Sequence, residues 1–242
     1  MQINRFSTGN VKMDLEDELI LYRPRENCFM TATQVSAREL FQAAYENRYT
    51  WDQSFPGYTA DVTYQAGDRQ WSGQARVGAD LKGEVNGMDD ESATKVIANQ
   101  LWEIAIHRVR RPFEQTHGEN TFEYGETDAT GAVEILVGGK ATGDRYKVRH
   151  NEVCLVHRHI HGTVVTINTF SSHDTGAGYL SHRYDSVYHD PQTGAQRGGR
   201  SLFTDEYERV GDYSILSSRR IETETESGTE VQEFRFTNIQ LL

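Results

Sequence analysis

The run His157-Arg158-His159-Ile160-His161 carries the densest potential chemistry in the chain. Side chains alternate across a strand, so in uninterrupted β structure the three imidazoles share one face. Two histidines at i and i+2 can hold zinc or a similar ion, with a third ligand from a neighbouring strand. His173, Asp174, His182 and His189 lie on the segments that follow and could supply it. His157, His159 and His161 are therefore the metal candidates. Gly162 opposes them, because a hairpin tip at 159–162 would splay the rings. The alternative is a set of solvated histidines on a wet sheet.

A second cluster is His107-Arg108-Val109-Arg110-Arg111. Guanidinium forks suit phosphate and carboxylate, which makes Arg108 and Arg111 candidates for an anion site. Cations at a helix C-terminus complement its dipole, and that is the plainer account. Gly138-Gly139-Lys140 fails as a phosphate loop: Glu134 stands where the leading glycine belongs, and Ala141 where Ser or Thr does. A hairpin turn is expected there. Cys154 lies within the apolar run Val153-Cys154-Leu155-Val156, the setting of a buried, inert thiol. Nucleophile-elbow, zinc-protease and dinucleotide fingerprints are missing from the sequence. No residue is singled out as catalytic, and no cofactor is specified.

Aromatic residues give the clearer hint of a ligand. Trp51, Phe55, Tyr58 and Tyr64 cluster early, while Tyr179, Tyr184, Tyr188, Phe203, Tyr207 and Tyr213 populate the late segments. A strongly curved sheet needs large side chains to fill its concave side. If it closes incompletely, the same residues line an apolar pocket with hydroxyls at the mouth, the usual form of a small-molecule site. The expected ligand-binding set is Trp51, Phe55, Tyr58, Trp102, Tyr184 and Tyr188. Core filling is the competing use for them.

Positioning these groups falls to two helices and a succession of strands. Ser36 and Glu39 form a capping box ahead of Leu40, Phe41, Ala44 and Tyr45, which predicts a helix over about 33–48. Asp89, Asp90 and Glu91 open a second helix over about 90–110, and Pro112 stops it. A hairpin is expected over 58–77, with Gly67-Asp68 at its turn. Further strands are predicted at 82–86, 120–125, 131–137, 144–149, 152–158, 163–170, 179–189, 201–209, 212–221 and 230–241. Turn residues such as Asp190-Pro191, Gly211-Asp212 and Ser227-Gly228 separate the last of them. Regular spacing without intervening helices predicts an antiparallel meander. The fold class is mainly β (α+β): one strongly curved antiparallel sheet, or incomplete barrel, with helices over its open face.

Composition agrees with this. Of 242 residues, about 40% are apolar when glycine is counted and tyrosine is not, below the usual level. That favours elements with one wet face over a buried parallel sheet. A net charge of −11 excludes a general nucleic-acid binder. No run approaches the length of a membrane span. Two cysteines are too few for a disulfide scaffold, so a reducing, cytoplasmic setting is expected. Residues 1–29 differ in character from the rest and are expected to be an extension, either an upstream leader or a weakly ordered arm. Residues 30–242 are expected to form one domain.

Several local patterns coincide: Ala43-Ala44-Tyr45-Glu46-Asn47-Arg48-Tyr49-Thr50-Trp51; Phe55-Pro56-Gly57-Tyr58 through Val62; Arg158 to Gly162; His182-Arg183-Tyr184-Asp185-Ser186-Val187-Tyr188; and Phe234 to Ile239. Together, over Met30 to Leu242, the chain resembles a mainly cyanobacterial family, domain of unknown function 3386. The resemblance implies no activity. More coarsely, the layout is similar to lipoprotein-carrier half-barrels of the LolA type, whose concave surface shelters acyl chains. The sequence departs from those carriers in lacking a secretion signal. Three functions follow as expectations: a binding protein for a hydrophobic or amphipathic ligand such as a lipid or pigment, an assembly factor with a protein partner, and a histidine-based metal protein. The first is preferred.

Overall fold

The computed structural model describes residues 35–242, which carry three helices and twelve strands. The expected extension at 1–29 lies outside the described residues. Helix α1 (Ala37–Glu46) starts at Ser36, whose Oγ accepts from the Glu39 amide at 3.2 Å. Glu39 returns the bond, accepting from the Ser36 amide at 2.8 Å. The predicted capping box is thus present, and it satisfies amides that a helix start leaves without partners. Helix α2 (Glu91–His107) starts at Asp90, whose Oδ1 accepts from the Ala93 amide at 2.9 Å. Its Oδ2 holds the Trp71 indole at 3.1 Å, so the cap also ties the helix to the sheet. A short third helix, α3 (Phe113–His117), follows Pro112.

The strands are β1 (Gly57–Ala66), β2 (Arg69–Gly78), β3 (Gly83–Asn86), β4 (Asn120–Thr127), β5 (Val133–Gly139) and β6 (Arg145–Arg149). They continue as β7 (Glu152–Ile160), β8 (Thr163–Asp174), β9 (Tyr179–His189), β10 (Gln196–Val210), β11 (Tyr213–Thr225) and β12 (Gly228–Leu241). All twelve form one antiparallel sheet in the order β3-β2-β1-β12-β11-β10-β9-β8-β7-β6-β5-β4. Strands β4 to β12 are a meander, and β1 adds to the last of them. The sheet does not close: β3 and β4 remain its two edges, and the chain between those edges is α2 followed by α3. The expected curved, incomplete barrel with helices on its open side is the observed fold.

The core is divided. One buried cluster joins α2 (Ile97, Leu101, Ile104) to β1, β2, β11 and β12, including Tyr58, Val62, Ile215, Phe234 and Phe236. The other joins Phe41 of α1 and Phe113 of α3 to Ile135, Val137, Tyr146 and Val148 of β5 and β6. Burying such side chains contributes about 1.5–3 kcal/mol each, so each helix is held chiefly by its own half of the sheet. Between the halves, β7 has no fully buried residue in its nine.

Candidate functional site

Strand register identifies what faces the concave side between the two clusters. Tyr146 belongs to the α1 cluster and opposes Val156, which opposes Ile167, which opposes Ser186. Directly opposed residues project to the same face. Two positions along, the row is Arg158–Val165–Tyr188. Two positions the other way, Thr169 opposes Tyr184, which stacks on Phe203 with ring centroids 4.7 Å apart. The strip toward the β7–β8 hairpin is open, since Ile160 is 37% and Tyr188 46% exposed. Arg158 makes one hydrogen bond among the described residues, from Nε to Asp144 at 3.3 Å. Its two Nη groups are left for another acceptor.

Deeper along the same face lies a closed polar network. Arg219 of β11 is 5% exposed and forks onto Asp205 of β10, with Nε and Nη2 donating at 2.8 and 2.7 Å. Its Nη2 also donates to the Tyr184 hydroxyl at 2.9 Å, and its Nη1 to Gln100 at 2.8 Å and Glu103 at 3.4 Å. All five guanidinium N–H groups therefore have acceptors, two of them on α2. Burial pushes the Tyr184 phenol well above its usual pKa, although Arg219 pulls the other way. This network bolts α2 to the sheet and leaves no donor for a ligand.

The expected aromatic set divides among three settings. Trp51, Phe55 and Tyr58 are buried and use one another's faces: Trp51 stacks on Phe55 at 4.0 Å, and Tyr58 meets Trp51 edge-on at 6.2 Å. Tyr184 is taken by Arg219 and Phe203. Tyr188 and Trp102 are the two left open, Trp102 at 61% exposure on α2. Trp102 adjoins Glu103, whose charge raises the Tyr188 pKa after burial has done so. Of the anion candidates, Arg108 donates to the Tyr207 hydroxyl at 3.2 Å and lies over that ring, while Arg111 is exposed on the surface.

The histidine run is broken by its own turn. His161 (φ 48°) and Gly162 (φ 73°) make the tip of the β7–β8 hairpin, so His161 leaves the strand. His157 and His159 do share a face, with ring centroids 6.0 Å apart. Each Nδ1 already has a partner, Thr166 Oγ1 at 2.8 Å and Asp144 Oδ1 at 3.1 Å. The three imidazoles therefore do not converge. Gly138, Gly139 and Lys140 lie at the end of β5 and in its turn, as expected. Cys154 is half-buried, and desolvation raises its pKa, which suits an inert thiol.

Sequence reasoning missed Arg158, Val165 and Ile167 as concave-facing groups. Alternation along β7 and β8 gives which residues share a face, but not which face is inward. Two depressions lie elsewhere: one of about 610 Å³ against Trp71, Met88 and the start of α2, and one of about 190 Å³ beside Cys154 and Phe170.

Residues 32–242 match the model of the family described as "Protein of unknown function (DUF3386)". The chain belongs to this family. The resemblance carried by the five local patterns thus holds across the family's match. No curated relative matches the sequence. Among solved structures, a LolA superfamily protein from Nitrosomonas europaea aligns over 86% of this chain and 94% of its own, at 9% identity and a TM-score of 0.37. A putative outer membrane lipoprotein-sorting protein domain from Vibrio parahaemolyticus aligns over 78% and 87%, at 9% identity and a TM-score of 0.38. Neither likeness bears on the ligand of this DUF3386 chain.

Proposed function

We propose that this DUF3386 protein is a binding protein that holds an amphipathic, anionic molecule of the lipid class on the open strip of its concave face. The observation that carries this reading is the row Arg158–Val165–Tyr188, in which Val165 is buried as the floor and Tyr188, with Ile160 beside it, stays exposed. A hydrocarbon chain lying on Ile160, Ile167 and Tyr188, above the buried Val165, removes apolar surface from water at roughly 25 cal/mol per Å². The free Nη groups of Arg158 offer a planar fork to a carboxylate or phosphate head. No catalytic group is required.

A fluorescent long-chain fatty acid titrated into the full chain tests it. Saturable binding is expected, weakened at least tenfold by Tyr188→Asp. Arg158→Gln should weaken the fatty acid but leave the matching neutral alcohol unaffected. No saturable binding, or binding indifferent to both substitutions, contradicts the proposal. The exposed Trp102 favours a protein partner as the second reading. Loss of self-association or of a co-purifying protein in Trp102→Ser, with fatty acid binding absent throughout, would support that reading instead.

A further inference from the structure

We propose that His173, His182 and Glu206 form a binding site for a first-row transition-metal dication, with zinc the best match. They come from three adjacent strands, β8, β9 and β10, and their ligand atoms all lie within 4.8 Å of one another. His173 Nε2 is 3.2 Å from one Glu206 oxygen, and His182 Nδ1 is 3.5 Å from the other. The two imidazole centroids are 4.5 Å apart. Zinc bonds of about 2.0–2.2 Å in tetrahedral array place ligand atoms about 3.4 Å apart, so the two His–Glu206 separations are close to those a shared ion requires.

Two further observations point to a ligand. His173 Nε2 is a buried nitrogen with no hydrogen-bond partner among the described residues, despite the carboxylate beside it. Buried polar atoms rarely lack a partner, and an ion between the nitrogen and the carboxylate would supply one. The second is the backbone. The pairing steps from Ser171–Arg183 to Ser172–Ser181, which makes His182 the extra residue of a β-bulge. Across β10 and β11 the pairing steps from Glu206–Ser218 to Tyr207–Leu216, which makes Ser217 of β11 the extra residue there. Bulges re-aim side chains beside functional sites, and here the one on β9 brings His182 beside His173, with ring centroids 4.5 Å apart. His182 Nδ1 also hydrogen-bonds to the Asp205 carbonyl at 2.9 Å, the bond a cation would displace.

Three protein ligands leave a fourth position open, the pattern of a zinc site that keeps water or an exchangeable group. Glu206 is half exposed, so the ion has an entry path. The site is separate from the His157–His161 hairpin and from the Arg158 strip.

Calorimetric titration of the full chain with Zn²⁺ alone is the test. One equivalent should bind. His173→Gln and Glu206→Gln should each weaken binding at least tenfold, while the triple variant His157→Gln/His159→Gln/His161→Gln should bind as the wild type does. Circular dichroism confirms that each variant is folded. As a second readout, Co²⁺ should give the intense visible absorption of a tetrahedral ion, lost in Glu206→Gln. A wild-type chain that takes up no Zn²⁺ equivalent overturns the proposal. So does binding unchanged by both single substitutions, or binding lost in the triple variant instead.

Discussion

Arg219 and Asp205 show what a buried ion pair does when every hydrogen bond is made. The carboxylate is 1% exposed, and its removal would strand a guanidinium that has no route to water. Asp205→Asn is therefore expected to lower stability by about 3–5 kcal/mol in denaturant unfolding. The double replacement Asp205→Leu/Arg219→Met should recover most of that loss, because it leaves no uncompensated charge. A double variant as unstable as the single would show that the pair is not the source of the loss. His117 offers a second check at this scale. Burial among Phe41, Phe113 and Tyr45, then the charges of Arg158 and Arg48, depress its pKa to about 4. The unfolded chain protonates histidine near about pH 6.5. Because the folded value is the lower one, the contribution is complete above about pH 6.5 and disappears as pH falls through about 4, by roughly 3 kcal/mol. His117→Phe should flatten that part of the stability-against-pH curve. An unchanged slope would remove His117 from the account. Neither the Arg219–Asp205 pair nor the burial of His117 was legible in the sequence, since burial at one position depends on partners far along the chain, as Gln100 and Arg219, 119 residues apart, show.

At the scale of elements, much was legible. The capping box at Ser36, the acidic start of α2 and the turn pairs between strands are local signals, and local signals fix where elements begin. Helix α3 was not foreseen, because five residues are too few for a 3.6-residue period to show. Strand β10 starts at Gln196 rather than the expected 201, with Gly198 at φ 72° and the irregular pairing of Arg197–Ser201 masking the alternation. The same limit explains the metal cluster. Alternation placed His157 beside His159, but the bulge at His182 is a tertiary feature without a sequence signature. One element contact is open to direct test. A Cβ at Gly83 of β3 would lie 2.9 Å from the Leu101 Cβ, so the bare backbone lets α2 sit close on the edge strand. Gly83→Val should destabilise the protein by about 1–3 kcal/mol in urea. No change on introducing valine would mean that α2 is not seated by this approach.

Across the whole molecule, the organising feature is a twelve-stranded sheet that stops short of closure, with its two edges connected through α2 and α3. Each helix fills its own half of the concavity, and the middle strands are left incompletely covered. A closed barrel would have no such strip, and a single continuous core would have filled it. Half of the expected aromatic set, Trp51, Phe55 and Tyr58, is consumed in making the α2 half solid. The central claim is that the open strip, and not the packed clusters, receives the ligand. Methyl-resolved NMR of the full chain during titration with a long-chain fatty acid addresses this most directly. The account predicts shifts at Ile160, Val165 and Ile167, with Ile97 and Ile104 beneath α2 unmoved. Shifts centred on Ile97 and Ile104, or none at any of the five, would contradict it.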